Sequence, residues 1–214
     1  MKEELNKIKK STIKNLRIFL RFLQKDSLAS IVVFLLLAIV FLVGIFFPTL
    51  SFLTGSDFPL VIVESCSMYH EEYGFDEILN HKLYTNNNIT IEDTKEWDFH
   101  NGLKKGDIIF IVAPKNIEKG DVVIFNAGGS VTKPIIHRII DNEEPYATKG
   151  DNNGGQVTYQ TITGQTINIE DNISGEQLLG KAVFRIPALG WIKLIFFDFS
   201  KDNRGRRGFC SNPY

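Results

Sequence analysis

The stretch KGDIIFIVAPKNIEKGDVVIF, Lys105 to Phe125, states one pattern twice. Lys105-Gly106-Asp107 launches Ile108-Ile109-Phe110-Ile111, and Lys119-Gly120-Asp121 launches Val122-Val123-Ile124-Phe125. Gly and Asp form turns, and runs of β-branched and aromatic residues fit a pleated surface better than a helix. The spacing of the two copies predicts neighbouring strands of an all-β fold. Working outward, further strands are expected at residues 60–63 (LVIV), 135–140, 146–149 and 180–186 (GKAVFRI). Turn signals at this density leave little room for helix, so the fold class is mainly β.

Upstream the composition changes. Residues 27–53 (SLASIVVFLLLAIVFLVGIFFPTLSFL) carry no charge and exceed the ~20 residues needed to cross a ~30 Å hydrocarbon core. A helix apolar on every face needs either lipid or a large protein around it, and a chain of 214 residues has little left to supply the latter. Residues 27–53 are therefore expected to be a transmembrane anchor. Residues 1–26 hold Lys2, Lys7, Lys9, Lys10, Lys14, Arg17, Arg21 and Lys25 against Glu3, Glu4 and Asp26. The positive-inside rule then puts a basic segment in the cytoplasm and everything after the anchor outside. A cleavable signal peptide is the rival, but its apolar region is shorter and ends in a small-x-small site that is not evident here.

The expected extracytoplasmic domain covers residues 54–199. Within it, residues 71–104 are acidic, aromatic and Asn-rich and read as a surface insertion with weak helical periodicity near residues 77–83. Residues 186–199 (IPALGWIKLIFFDF) are apolar but too short to span, which suits a membrane-apposed segment or a final core strand. Residues 200–214 form a polar, basic tail. The net charge of −1 gives no global field for nucleic acid. Cys66 and Cys210 lie far apart in sequence, so a disulfide framework is not indicated.

Chemistry concentrates in three places. Ser65-Cys66-Ser67-Met68 follows the first strand, His137 sits in PIIHRII, and Thr148-Lys149-Gly150-Asp151-Asn152-Asn153 follows another strand. A serine at a strand end, a strand histidine and a carboxylate make up a nucleophile, base and orienting acid for acyl transfer. Each has a plainer reading: a turn serine, a core histidine and a turn aspartate. Cys66 is a rival nucleophile, although on extended backbone it points away from the face shared by Ser65 and Ser67. Lys149 sits in a polar turn and reads as a solvated or substrate-facing charge rather than a desolvated base. The spacing of His70, His81 and His100 matches no metal-ligand pattern, so neither a metal site nor another cofactor is expected. Asn88-Ile89-Thr90 and Asn172-Ile173-Ser174 match the glycosylation pattern, which is short enough to arise by chance.

Taken in order, Ser65-Cys66-Ser67-Met68, Lys119 to Phe125, His137-Arg138-Ile139-Ile140, Thr148 to Asn153 and Gly180 to Pro187 resemble type I signal peptidases. The match runs from the anchor to about Trp191. A histidine where the bacterial branch has lysine makes the chain similar to the archaeal and endoplasmic-reticulum branch, which uses Ser and His. The resemblance implies a signal-peptidase-like β-domain (LexA-like β-fold) behind one N-terminal transmembrane helix. It implies Ser67 as nucleophile, His137 as general base and Asp151 as orienting carboxylate, with Ser65 and the Ser67 N–H holding the oxyanion and Met68 beside the substrate pocket.

Two departures stand out. The family's proline two places after the nucleophile's Met is missing, leaving Tyr69-His70, and the aspartate usually found soon after Gly-Asp-Asn-Asn is replaced by Gly154-Gly155-Gln156-Val157. Asp171 is the alternative carboxylate. The implied activity is a membrane-anchored serine endopeptidase that removes signal peptides from exported preproteins. Its partners would be those preproteins, membrane lipid and the protein-export machinery, and its place a cell membrane or endoplasmic-reticulum-type membrane. The alternatives are an inactive peptidase homologue and a membrane-anchored β-domain that only binds.

Overall fold

The computed structural model describes residues 2–70, 79, 82–129, 131–161, 163–198 and 210. Expectations for residues 71–78, for His81 and for the tail other than Cys210 lie outside these residues. The chain divides into two compact units, Met1–Phe52 and Leu53–Tyr214.

From the N-terminus, helix α1 (Lys2–Leu23) precedes α2 (Leu28–Phe41), a π-helical turn (Leu42–Phe46) and α3 (Phe47–Thr54). Ser27 caps α2, its hydroxyl accepting the Ser30 N–H at 3.2 Å. Pro48 has no N–H to give and its ring crowds the carbonyl one turn back, and the π turn just before it absorbs that mismatch. The apolar run Leu28–Thr54 is helical for 27 residues and is long and apolar enough to cross a membrane.

The second unit is built on a curled six-stranded antiparallel sheet, a half-barrel. Its strands are β1 (Leu60–Ile62), β2 (Ile108–Val112), β3 (Val122–Phe125), β4 (Ile135–Asp141), β5 (Ala147–Lys149) and β8 (Leu178–Ile186), in the spatial order β1-β2-β8-β3-β4-β5. β6 (Thr158–Gln160) and β7 (Thr166–Asn168) form a separate hairpin.

The repeated motif is a repeated turn. Gly106 and Gly120 have φ of +93° and +96°, which side chains rarely adopt. Asp107 Oδ2 accepts the Lys104 N–H at 2.9 Å, and Asp121 Oδ2 accepts the Glu118 N–H at 2.8 Å. Each glycine also lies under an indole: a Cβ on Gly106 would meet Trp191 at 2.1 Å, and one on Gly120 would meet Trp97 at 2.3 Å. The expectation that the two launched strands are neighbours is corrected. β8 enters between them, pairing Phe110 with Phe184 on one side and Ile124 with Gly180 on the other. Local sequence sets where strands begin, whereas a strand arriving from far downstream sets who pairs with whom.

β3 explains its unbroken apolar run by being buried on both faces. Val122 and Ile124 join a core with Val63, Met68, Leu103, Ile109, Ile111 and Ala182, while Val123 and Phe125 join another with Ile139, Ile173 and Leu178. A third cluster seats the insertion, with Tyr84 and Ile89 against Ile140 and Ala147. The insertion is thus partly core rather than a surface appendage. Residues 186–199, expected as an interfacial segment or a strand, include an α-helix (Trp191–Asp198) that buries Leu194 and exposes Ile192, Ile195 and Phe196.

Candidate active site

β1 ends one turn before the serine pair. Tyr69 N–H donates to Cys66 O at 3.1 Å and Leu103 N–H to Met68 O at 2.8 Å, which folds residues 66–69 back on themselves. The hydroxyls of Ser65 and Ser67 meet at 3.2 Å, with Ser65 exposed and Ser67 half-buried. Met68 does not line an opening, contrary to its expected place beside a substrate pocket. It is 1% exposed, packs in the core and accepts the Asp151 N–H on its sulfur at 3.5 Å.

His137 is buried on β4 opposite Val123. Its Nδ1 is bonded to Glu170 Oε1, and Glu170 is wholly buried. Thr148 Oγ1 donates to the same oxygen at 3.1 Å, and Val157 N–H donates to Oε2. The other ring nitrogen faces the serine turn. Nε2 and the Ser67 carbonyl oxygen lie 2.7 Å and 2.9 Å from the point where a Cβ on Gly150 would stand, so a bare glycine lets the imidazole and the serine turn close on one another. Among the described residues no hydrogen bond joins Ser67 Oγ to Nε2; such bonds often form only with substrate in place.

The carboxylate expectation is corrected. Asp151 is turned to the other side, where Arg138 Nη2 donates to Oδ2 at 2.7 Å, Arg138 Nε donates to Oδ1 at 3.0 Å, and His70 Nε2 bonds Oδ2 at 3.1 Å. The reason lies in the strand. His137 and Arg138 are consecutive on β4 and so point to opposite faces, and whatever pairs with one cannot reach the other. Asp171 is exposed and also does not reach His137. Its neighbour Glu170 does so because the β6–β7 excursion returns the chain with Thr148 N–H bonded to Glu170 O at 2.8 Å. Gln156 closes the base of that excursion, donating to Thr148 O at 2.8 Å and Glu170 O at 2.9 Å.

Behind the site the insertion forms a wall. Arg138 donates to Asp98 O at 2.9 Å, Gly120 O at 2.7 Å and Phe99 O at 3.1 Å, and its guanidinium lies 5.3 Å from the Trp97 ring centre. Lys149, paired across from Arg138, is 1% exposed rather than solvated, correcting the reading of its turn. Its Nζ donates to Gly150 O at 2.9 Å and stands 5.0 Å from the Tyr84 ring centre. Burial pulls the Lys149 ammonium down to about 8, against the opposing pull of Asp151 and Glu170. Burial, reinforced by the Asp151 charge, pushes the Tyr84 phenol well above its ordinary value. Burial alone would raise Asp151, but the Arg138 charge and the His70 and Arg138 hydrogen bonds outweigh it and hold the carboxyl well below the usual range. His70, in the place of the missing proline, thus braces the turn through Asp151.

Cys66 is bonded to Cys210, with Cα atoms 5.6 Å apart. This corrects the reading that no disulfide is indicated, since separation along the chain says little about separation in space. A sulfur held in a disulfide is no thiolate, so Cys66 is not the nucleophile in this form. His100, Asn88 and Asn172 are exposed. No group of three or more His, Cys, Asp or Glu among the described residues is placed to hold a metal ion.

The groups brought near one another are of the kinds acyl transfer uses: a serine hydroxyl on a tight turn, an imidazole whose far nitrogen is fixed by a buried carboxylate, and a neighbouring hydroxyl. Glu170 and His70 were not singled out for these roles by sequence. The signal for Glu170 was the acidic pair Glu170-Asp171 beyond a loop excursion from Asn153, read one residue too far along. Comparison of the sequence with models of known protein families gives no match, and none of the curated proteins matches it.

Proposed function

We propose that this chain is a membrane-anchored serine endopeptidase that cleaves N-terminal signal peptides from exported preproteins, a signal peptidase of the Ser-His kind with a signal-peptidase-like fold. The observation that carries this reading is the convergence of Ser67, His137 and Glu170, residues from three separate stretches of the sequence, on one buried-backed turn of the sheet. Ser67 is the nucleophile, His137 Nε2 takes its proton, and Glu170 holds Nδ1–H so that Nε2 stays free to accept. The Ser67 N–H and the Ser65 hydroxyl hold the oxyanion; a preorganised donor of this kind is typically worth about 2.7–4 kcal/mol of barrier.

The helix Leu28–Thr54 serves as the anchor, with the basic N-terminus cytoplasmic and the β unit outside. Anchoring confines enzyme and preprotein to one surface and raises their effective concentration. The cleavage region would add as an extended strand to the sheet edge. Membranes carrying the wild-type chain should convert a labelled preprotein to its mature form, and membranes carrying Ser67→Ala should not. Full cleavage by the Ser67→Ala protein would refute the proposal.

A further inference from the structure

We propose that Asn152 is a positioning residue for Ser67, aiming both the nucleophile and the oxyanion donor. The inference rests on the reading of Ser67 as nucleophile and deepens it. Asn152 holds the serine turn at two successive carbonyls. Its backbone N–H donates to Ser67 O at 2.8 Å, and its Nδ2 donates to Cys66 O at 2.9 Å. Those oxygens belong to the two peptide groups flanking the Ser67 Cα.

A peptide group is planar and trans, so C=O and N–H point in opposite directions across it. Fixing the Cys66 carbonyl therefore fixes the direction of the Ser67 N–H, the donor assigned to the oxyanion. Fixing the Ser67 carbonyl sets the second plane. With both planes held, φ and ψ of Ser67 are set, and with them the direction of its Cα–Cβ bond. One residue thus orients the attacking oxygen and the receiving donor together.

Asn152 is itself rigidly placed. Asn153 N–H donates to Gly150 O at 2.9 Å, closing the turn, and Asp151 on its other side is locked to Arg138 and His70. The same turn carries Gly150, against which His137 Nε2 rests, so base and nucleophile are registered through a single short segment. Among the described residues Asn152 Oδ1 is buried and has no hydrogen-bond partner. A buried acceptor without a partner is a cost to folding, and its presence is explained if the residue is kept for its donor rather than for stability.

Asn152→Ala removes the Nδ2 donor and the unpaired oxygen while leaving the backbone N–H to Ser67. Asn152→Leu keeps nearly the same shape and also lacks the donor, without adding a charge. Both are compared with wild type and Ser67→Ala, as full chains in membranes, for preprotein cleavage, for acylation of Ser67 by a fluorophosphonate and for melting temperature. The expected result is a loss in kcat on the order of 10²-fold, as for a lost oxyanion donor, with KM and melting temperature near wild type and acylation slowed in parallel. A merely structural residue would instead lower the melting temperature and leave the kcat of the folded fraction intact, and that result overturns the inference. Wild-type kcat in both variants overturns it as well, leaving the peptidase reading standing if Ser67→Ala is inactive. A wild-type chain that neither cleaves nor is labelled overturns the reading and the inference together.

Discussion

Glu170→Gln changes one atom of a buried carboxylate and should disable the site without unfolding it. The three groups around Glu170 all donate: His137 Nδ1–H and the Thr148 hydroxyl to Oε1, and Val157 N–H to Oε2. A glutamine has one oxygen and one NH2, so its NH2 must face one side or the other. Facing Val157, it meets a backbone N–H that cannot turn away, and two donors collide in a dry site. Facing His137, it meets partners that can adapt: the hydroxyl rotates, and the imidazole moves its proton from Nδ1 to Nε2. The second arrangement is favoured, and it leaves Nε2 protonated and unable to accept from Ser67. Loss of the correct tautomer in a Ser-His-carboxylate triad lowers kcat by about 10⁴-fold. At 1.36 kcal/mol per tenfold that is about 5.4 kcal/mol of barrier. The assay is single-turnover cleavage of a labelled preprotein by membranes carrying each variant, with Asp171→Asn as the exposed neighbour expected to match wild type. Activity of Glu170→Gln within tenfold of wild type would refute the assignment of Glu170, and loss of activity in Asp171→Asn would show that the carboxylate was placed one residue off.

Asp151→Asn should destabilise the β unit by about 3–5 kcal/mol, because it leaves the buried Arg138 without its counter-charge; chemical denaturation followed by Trp97 fluorescence reads it. Since the folded pKa of Asp151 is depressed, its contribution is fully present above about pH 4 and is lost as the pH falls through the folded value. The wild-type protein should therefore weaken steeply in acid, and the variant should lack that part of the slope. Lys149 has the opposite sense: with a folded value near 8 and an unfolded one near 10.4, the unfolded chain binds more protons between them. Stability of wild type relative to Lys149→Met should rise from pH 8 to pH 10, and a flat difference would contradict the burial of a charged amine. Cys210→Ser, which keeps every residue of the serine turn but frees the Cys66 thiol, should cost about 2–5 kcal/mol by loss of the link to Cys66, measured by denaturation with and without reductant.

The strands were legible because each is announced locally: Gly106-Asp107 and Gly120-Asp121 turn, and the β-branched runs after them cannot do better than a sheet. The order of the strands was not, since nothing in Ile108–Val112 or Val122–Phe125 says that Leu178–Ile186 will come between them. In the site, Ser67 and His137 could be picked out because their residue types and setting are informative on their own. The carboxylate could not, because alternation along β4 decides which partner each side chain meets, and the return path of β6–β7 decides which acid arrives. The insertion misled for a related reason. Its polar, Asn-rich surface hides Tyr84, Thr94 and Leu103, which are fully buried. The helix at Trp191–Asp198 was hidden by composition, since a short apolar run carries no period that separates strand from helix.

The link between Cys66 and Cys210 also constrains how the chain can be threaded through a bilayer. Two sulfurs whose Cα atoms stand 5.6 Å apart must lie on the same side of any membrane, so between them the chain crosses it an even number of times or not at all. The apolar residues 186–199 lie between them and cannot be a lone second crossing. If the N-terminal apolar helix crosses a membrane, Cys66 and Cys210 therefore lie together on one side of it.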